Sequence, residues 1–158
     1  CIRDRGNMCR RTTFRTKQRD NYPDYPTRLT EENAQEIISQ YDIVVDGCDN
    51  FSTRYLINDI CAEMGKVYVY GAICGFEGQV SVFHYGEEKK SYRDLYPDEE
   101  EMRRMPPPSK GVMGITPAVT GSIEATEVLK IICGFGEVLS GKLWTIDLRT
   151  LQSNKFSL

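Results

Sequence analysis

The fold expected of this chain is decided by one stretch, Tyr41-Asp42-Ile43-Val44-Val45-Asp46-Gly47-Cys48-Asp49-Asn50-Phe51-Ser52-Thr53-Arg54. Its first half holds a short β-branched run, Ile43 to Val45, which is typical of a buried strand in a parallel sheet. A helical pattern begins just after Asp49 and Asn50. Ligands of open α/β sheets bind beyond the carboxyl ends of the strands. The stretch therefore predicts either a ligand-binding edge at Asp49 and Asn50 or a simple helix cap there.

Strand and helix signals continue on both sides of this stretch. The order strand, helix, strand implies parallel pairing with a right-handed crossover. We predict an α/β fold: a mostly parallel sheet flanked by helices, with antiparallel strands at the C-terminal side. The predicted elements are a helix over 31–40, a strand over 42–47, a helix over 52–64, a strand over 67–73, a strand over 79–85, a helix over 117–133 and strands over 143–148 and 151–157.

Apolar residues at helical spacing predict which faces of two helices are buried. In the helix over 52–64 the expected buried residues are Leu56, Ile57, Ile60, Cys61 and Met64. In the helix over 117–133 they are Ile123, Val128, Ile131 and Ile132.

Composition excludes several classes of protein. The 158 residues suit one domain. No apolar run approaches ~18 residues, so we expect no membrane span, and the net charge of −3 argues against nucleic acid. Six cysteines without a close Cys-x-x-Cys pair indicate a reduced, cytoplasmic protein. Residues 1–22 differ from the rest: seven Lys or Arg against two Asp give a net of +5, which marks a basic arm over 1–26.

Few residues outside the Asp49 region carry recognisable chemistry. His84, the sole histidine, lies in an alternating strand, so a structural role is expected. The chain contains no Walker-type loop and no Gly-x-Gly-x-x-Gly fingerprint after a strand. The charged segment 86–110 is long for a turn, and segments of this kind are usually functional lids or disordered.

Several motifs follow one another in a fixed order over residues 27–158. They are Asp46-Gly47-Cys48-Asp49-Asn50 with Arg54 and Asn58, Gly71-Ala72, Glu77-Gly78-Gln79-Val80-Ser81-Val82-Phe83, Gly111-Val112-Met113-Gly114 with Pro117, Gly121, Glu124-Ala125, Glu127-Val128-Leu129-Lys130 and Ser140-Gly141-Lys142-Leu143. Together they resemble the ThiF/MoeB/HesA family, whose members adenylate the C-terminal glycine of a small ubiquitin-like sulfur-carrier protein with Mg-ATP. The resemblance implies a Rossmann-like fold.

The resemblance implies a role for each matching residue. Asp49 matches the aspartate that engages magnesium and the ATP phosphates, and Asn50 is its neighbour at the nucleotide edge. Arg54 matches an arginine one turn into the next helix, where it supports that edge. The segment 86–110 matches the crossover loop that covers the carrier's Gly-Gly tail. The resemblance also implies a homodimer.

Departures from the family pattern shape the remaining expectations. The strand, glycine-rich loop and helix of the N-terminal nucleotide-binding half have no counterpart in 1–26, which we interpret as disordered, introduced by cloning or read out of frame. Ser91 and Asp94 stand where a zinc-binding Cys-x-x-Cys pair would fall, so no zinc is expected. Pro107 stands where thiamine-pathway members carry a cysteine, so a thioester or persulfide role there is not expected.

The sequence leaves three hypotheses open. The first is a portion of an adenylyltransferase for a sulfur carrier, for thiamine rather than molybdopterin synthesis, and inactive as this chain alone. The second is a non-enzymatic binding module for the ubiquitin-like carrier. The third is a remnant that only dimerises, with the apolar strand over 67–73 at its interface.

Overall fold

A computed structural model describes residues 25–105 and 111–158. Every helix and strand predicted for these ranges is present, within a few residues of the expected bounds. Most of the basic arm predicted for 1–26 lies outside the described residues, as does Pro107. The elements are α1 (Glu31–Ser39), β1 (Ile43–Val45), α2 (Phe51–Met64), β2 (Val67–Cys74), β3 (Glu77–Phe83), α3 (Tyr92–Leu95), α4 (Glu99–Arg104), α5 (Ile115–Cys133), β4 (Lys142–Asp147) and β5 (Gln152–Ser157).

The strands form one mixed sheet in the order β1-β2-β3-β4-β5, which confirms the α/β class. β1 and β2 are parallel, as the intervening helix α2 requires. The other pairs in the described sheet are antiparallel, so its parallel share is smaller than predicted. The physical reason is the tight turns: Gly75, at φ 58°, lets the chain reverse between β2 and β3. The antiparallel pairing predicted for the last two strands is confirmed.

Both faces of β2 are covered. Its side chains alternate, so that Tyr68 and Tyr70 pack with Phe83 under α1 and α2. Val69 faces the opposite way and packs with Val80, Val82 and residues of α5. Tyr68, Val69 and Tyr70 are at most 1% exposed. The interface expected at 67–73 in the dimerising-remnant hypothesis is therefore wrong, because helices of the same chain already cover this strand.

Helix α5 turns a polar face towards the sheet. Its buried residues are Thr116, Thr120, Glu124 and Glu127. Gly78 makes this possible, because a Cβ there would lie 2.3 Å from the Thr120 Oγ1 atom. The predicted residues Ile123, Val128 and Ile131 pack at the sides of this face. The prediction for Ile132 is wrong: it is 66% exposed, since the polar residues occupy the central rows of the contact. In α2 the predicted apolar face is confirmed.

The segment after β3 is more ordered than the lid expected over 86–110. Its described part, 86–105, contains α3 and α4, and Tyr92 is fully buried against α2. The rings of Tyr92 and Tyr55 meet edge to face at 5.0 Å between centroids. The Tyr55 hydroxyl also donates to the carbonyl of Tyr96 at 2.8 Å. These contacts fix the base of the segment on α2.

Asn58 on α2 joins three parts of the chain. Its side chain is 1% exposed, and its Oδ1 accepts from the backbone N–H of Tyr92 at 2.9 Å and from the hydroxyl of Ser91 at 3.1 Å. The same oxygen lies 3.0 Å from the Nε2 atom of His84, which donates in the Nε2–H tautomer. Burial lowers the pKa of His84, which favours its neutral form. The structural role predicted for His84 agrees with this arrangement.

Across 25–105 and 111–158, each helix is too short or too polar to serve as a membrane span.

Replacement of Asn58 by leucine tests this junction. Asn58→Leu keeps a side chain branched at Cγ but removes an acceptor shared by one buried and two partly buried donors, so the free energy of unfolding should fall by about 3 kcal/mol. Urea denaturation measures the change. Asn154→Leu is the matched control, because Asn154 is exposed on β5 and its replacement should cost little. Equal stability of the two variants would contradict the role given to Asn58.

Candidate active site

The candidate site lies where β1 ends and α2 begins. Asp46, the first residue after β1, is 6% exposed. Its carboxylate accepts from Arg54 Nε at 2.9 Å, from the Tyr68 hydroxyl at 3.0 Å and from the backbone N–H of Cys48 at 2.7 Å. Each of these bonds holds the carboxylate inside the fold. Asp46 therefore fixes the shape of the loop and is not a free ligand.

Arg54 contacts this loop from the interior of the protein. It is 8% exposed, and its Nη2 donates to the carbonyl of Cys48 at 2.7 Å and to that of Gly71 at 3.3 Å. Burial alone would lower the pKa of Arg54, but attraction to Asp46 and the nearby tyrosine hydroxyls outweighs it and raises the pKa. Arg54 is thus a permanent cation that holds the backbone on both sides of the loop.

The sequence left open whether Asp49 and Asn50 bind a ligand or cap the helix, and the two residues differ in the structure. Asn50 is the N-cap of α2, because its Oδ1 accepts from the backbone N–H of Thr53 at 2.8 Å. Asp49 does not cap the helix: it is exposed, and its Oδ1 accepts from the side-chain amide of Asn50 at 3.2 Å. The loop therefore presents one carboxylate to solvent beside the positive end of a 14-residue helix.

A magnesium ion bound with ATP fits this donor. Mg²⁺ is usually held in proteins by one or two carboxylates, with substrate phosphates and water completing the shell. Asp49 offers one such carboxylate. Within 25–105 and 111–158, no cluster of three or more His, Cys, Asp or Glu residues could hold a metal without outside ligands. The roles of Asp49, Asn50 and Arg54 towards nucleotide and metal stay predictions.

Cys48 lies in the same loop, but its thiol is not reactive. Burial and the negative charge of Asp46 raise the pKa of Cys48 to about 12. Since the thiolate is the nucleophile, Cys48 is a packing residue here.

An open groove begins at the first turn of α2. It measures about 800 Å³ and runs between the start of α1, the start of α2 and the α3–α4 segment. Its walls carry Arg28, Arg93 and Arg103 together with acidic side chains. Arg93 bridges Asp59 at 2.6 Å and Glu99 at 2.9 Å. The groove therefore offers an extended ligand hydroxyl groups and arginines, of which Arg93 and Arg103 are already paired with carboxylates.

Glu124 is a buried carboxyl that the sequence analysis did not identify as a titrating group. It is 7% exposed and lies against Gly71, where a Cβ would be 2.3 Å from its Cδ atom. Its Oε1 has no hydrogen-bond partner in the described part of the chain. Burial, reinforced by the charge of Asp46, raises the pKa of Glu124 to about 7. The only feature of the sequence that indicates this burial is the position of Glu124, an acidic residue, in a mostly uncharged helix.

Stability should depend on pH through Glu124. The folded chain holds this proton up to pH about 7, whereas an unperturbed carboxyl loses it near 4.5. The free energy of unfolding should therefore fall as pH rises from about 5 to 7, by on the order of 2–3 kcal/mol, and then level off. Glu124→Gln should remove this decline, as measured by urea denaturation between pH 5 and 8.

The control for this pH series is Glu63→Gln, at an exposed position of α2. It should keep the slope of the unsubstituted chain. A Glu124→Gln variant with the same slope would show that Glu124 is already ionised at pH 5.

Comparison with known proteins identifies the family of this chain. The ThiF family profile matches residues 17–158, and so begins within the arm that the motifs left unmatched. The chain is 47% identical over 136 residues to a probable molybdopterin-synthase adenylyltransferase of Pyropia yezoensis, covering 85% of this chain and 36% of that protein. It is 48% identical over 134 residues to the sulfur carrier protein adenylyltransferase of Thermus thermophilus, covering 78% of this chain and 47% of that protein.

Solved structures share the fold at low sequence identity. Escherichia coli MccB with ATP superposes with a TM-score of 0.75 at 15% identity, over 96% of this chain and 47% of that one. PaaA gives a TM-score of 0.76 at 11% identity, over 97% and 47%. The chain thus spans between a third and a half of the length of these four proteins. By its sequence motifs, its fold and the extent of the match, the chain belongs to the ThiF family.

Proposed function

We propose that this chain is part of an ATP-dependent adenylyltransferase that activates the C-terminal glycine of a ubiquitin-like sulfur-carrier protein. The observation that carries the proposal is the exposed carboxylate of Asp49, held beside the start of α2 by the buried pair of Asp46 and Arg54. Membership of the ThiF family and the adenylyltransferase names of the relatives support it.

The reaction places specific demands on the residues of this loop. An oxygen of the carrier's terminal carboxylate attacks the α-phosphorus of ATP, the bond to the β-phosphate breaks, and pyrophosphate leaves. Two anions must approach each other, so charge neutralisation and alignment matter more than covalent help. Mg²⁺, when bound with ATP, neutralises the phosphates, and Asp49 would hold it. Asn50 would border the nucleotide, and Arg54 would keep the loop in place from behind.

The sequence shows no glycine-rich motif of the kind that usually holds the remaining phosphates. Backbone N–H groups of a glycine-rich loop bind phosphates in nucleotide-binding folds, and the 158 residues contain no Gly-x-Gly-x-x-Gly pattern. We therefore propose that adenylation requires the further length present in the relatives, and that this chain alone is inactive.

The names of the relatives bear on the pathway. Three of them are named probable molybdopterin-synthase adenylyltransferases, and another is named a sulfur carrier protein adenylyltransferase. These names favour molybdopterin synthesis, and they give no support to the thiamine pathway that the sequence analysis preferred. The Gly-Gly end of the carrier, the homodimer, the lack of zinc and the cytoplasmic location stay predictions.

Replacement of Asp49 tests the proposed chemistry. In a form of the protein that carries the remaining length seen in its relatives, Asp49→Asn should lower carrier-dependent ATP–pyrophosphate exchange by about 100-fold or more, because a metal ligand is lost. The loss should lie mainly in kcat, since the carrier contacts remain.

Asp42→Asn is the matched control, because Asp42 is exposed just before β1 and, among the described residues, its side chain makes only a distant ion pair, with Lys66 at 3.8 Å. It should keep full exchange. Exchange by the Asp49→Asn variant at the unsubstituted rate would refute the role of Asp49. Exchange by this chain alone would refute its proposed inactivity.

The groove beside α2 favours a second candidate function, a binding module for the carrier. An extended tail could lie between α2 and the α3–α4 segment, with its terminal carboxylate near Arg28, Arg93 or Arg103. A pull-down of this chain with the carrier, with and without its terminal glycines, tests this without ATP. Glycine-dependent capture with no exchange activity supports the binding module. Capture that ignores the glycines contradicts binding in the groove.

A further inference from the structure

The carboxyl of Glu124 is buried without the partners that such a group normally has. Its side chain faces the sheet, and its Oε1 atom has no hydrogen-bond partner within 25–105 and 111–158. Buried carboxyls are normally hydrogen-bonded or paired, because the charged form loses its hydration. The proposed reaction makes no use of Glu124, so a role for it has to come from the groups around it.

The part of the sheet under Glu124 supplies no charge. The carboxyl lies directly on Gly71 of β2, where a Cβ would be 2.3 Å from its Cδ atom. Thr120, one turn earlier on α5, lies on Gly78 of β3 in the same way, and its Oγ1 also lacks a partner among the described residues. The other side chains packed on this face of the sheet are apolar. No charged side chain of β2 or β3 therefore lies against Glu124.

The charged groups near Glu124 belong to α5, to the end of β1 and to α2. On α5, Glu127 is already paired, since it accepts from Lys130 Nζ at 2.5 Å. Asp46, just after β1, acts on Glu124 as a negative charge, and Arg54, on α2, acts as a positive one. Asp46 itself binds Arg54 at 2.9 Å. An ionised Glu124 is therefore a second carboxylate that competes for one arginine.

Arg54 connects Glu124 with the candidate site. Its Nη2 donates to the carbonyl of Gly71 at 3.3 Å and to the carbonyl of Cys48 at 2.7 Å. Glu124 covers Gly71 from the α5 side of the sheet, whereas Arg54 reaches it from the α2 side. Cys48 directly precedes Asp49. The backbone of Gly71 thus lies between Glu124 and the cation that holds the Asp49 loop.

We propose that Glu124 is a positioning residue that acts on the Asp49 loop through Arg54, so that the loop binds Mg-ATP best while Glu124 carries its proton. The statement about ATP rests on the proposed function, whereas the link through Arg54 does not. A neutral Glu124 leaves the charge of Arg54 to Asp46 and the loop. An ionised Glu124 attracts Arg54 away from the loop and adds a negative charge close to a site for phosphates.

The change of protonation falls near neutral pH. Burial, reinforced by Asp46, raises the pKa of Glu124 to about 7, so the carboxyl is mostly neutral at about pH 6 and mostly ionised at about pH 8. Other groups close to Arg54 titrate at much higher pH. Burial raises the pKa of Cys48 to about 12, and it raises the pKa of Tyr68 well above 10. A transition of Arg54 near pH 7 is therefore the expected mark of Glu124.

NMR spectroscopy of this chain tests the link without nucleotide. The Nε–H group of Arg54, which is bonded to Asp46, should give a ¹H–¹⁵N signal whose shift titrates with a midpoint near pH 7. Glu124→Gln, which is neutral at every pH, should remove this titration and keep the low-pH shift. Glu63→Gln, at an exposed position of α2, is the matched control and should titrate like the unsubstituted chain. An Arg54 signal that does not move between about pH 5.5 and 8.5 would overturn the inference.

A second measurement needs no substitution, and so it holds even if Glu124→Gln fails to fold. ¹³C NMR of the glutamate carboxyl carbons should show one signal that titrates near pH 7, whereas exposed glutamates titrate at much lower pH. This signal should share its midpoint with the Nε–H signal of Arg54. Two different midpoints would show that Arg54 does not respond to Glu124.

ATP–pyrophosphate exchange tests the consequence for the candidate site, in the form of the protein that carries the further length of its relatives. The KM for Mg-ATP of the unsubstituted enzyme is divided by that of Glu124→Gln at the same pH, which cancels the titration of ATP itself. This ratio should be near 1 at about pH 6 and on the order of 10 at about pH 8, with little change in kcat. Glu63→Gln should follow the unsubstituted enzyme.

The outcomes for Glu124 and for the proposed function are distinguishable. A purely structural role of Glu124 would change stability and leave the KM ratio constant with pH. Exchange that depends on Asp49 but shows a constant ratio would therefore overturn the inference and leave the proposed function intact. A shared titration of Glu124 and Arg54 in a protein without exchange would refute the proposed function and support the link through Arg54.

Discussion

The buried ion pair between Asp46 and Arg54 fixes the part of the molecule on which the candidate site depends. Taking two charges out of water is costly unless both are fully hydrogen-bonded. Here the carboxylate also accepts from Tyr68 and from the backbone of Cys48, and the guanidinium donates to two carbonyls. These hydrogen bonds hold the end of β1 and the start of α2 in a single relative position. Asp49 takes no part in these contacts and is exposed.

The same need to satisfy buried polar groups explains the orientation of α5. Gly71 and Gly78 have no side chains, so α5 can pack close to the sheet at these two positions. Its polar residues can then reach backbone groups of neighbouring elements. Thr116 donates to the carbonyl of Gly75, and Glu127 accepts from the N–H of Leu139. Thr120 and Glu124 are exceptions, because the Thr120 Oγ1 and the Glu124 Oε1 have no hydrogen-bond partner among the described residues. Burial raises the pKa of Glu124 and favours its protonated form. As a result of this orientation, the opposite face of α5, which is exposed to solvent, carries no charged residue.

The segment after β3 differs from the lid that its sequence suggested. Its charge and length suggested a lid, yet Tyr92 and Tyr96 fasten its first half to α2. The network of Arg93 with Asp59 and Glu99 adds a further attachment. A ligand in the groove would therefore meet a preformed wall, which lowers the ordering cost of binding.

Local patterns in the sequence were enough to predict the class of the fold, the helices and strands outside 86–110, and the loop of Asp49 and Asn50 as the key loop. These features depend on near neighbours: β-branched runs, helical spacing and glycine at turns. Tertiary structure alone decided that Asn50 rather than Asp49 caps α2, that Arg54 points inward, that Ile132 is exposed and that Glu124 is buried. Arg54 and Glu124 both lie against Gly71, a distant backbone position, and helical periodicity carries no information about such a partner.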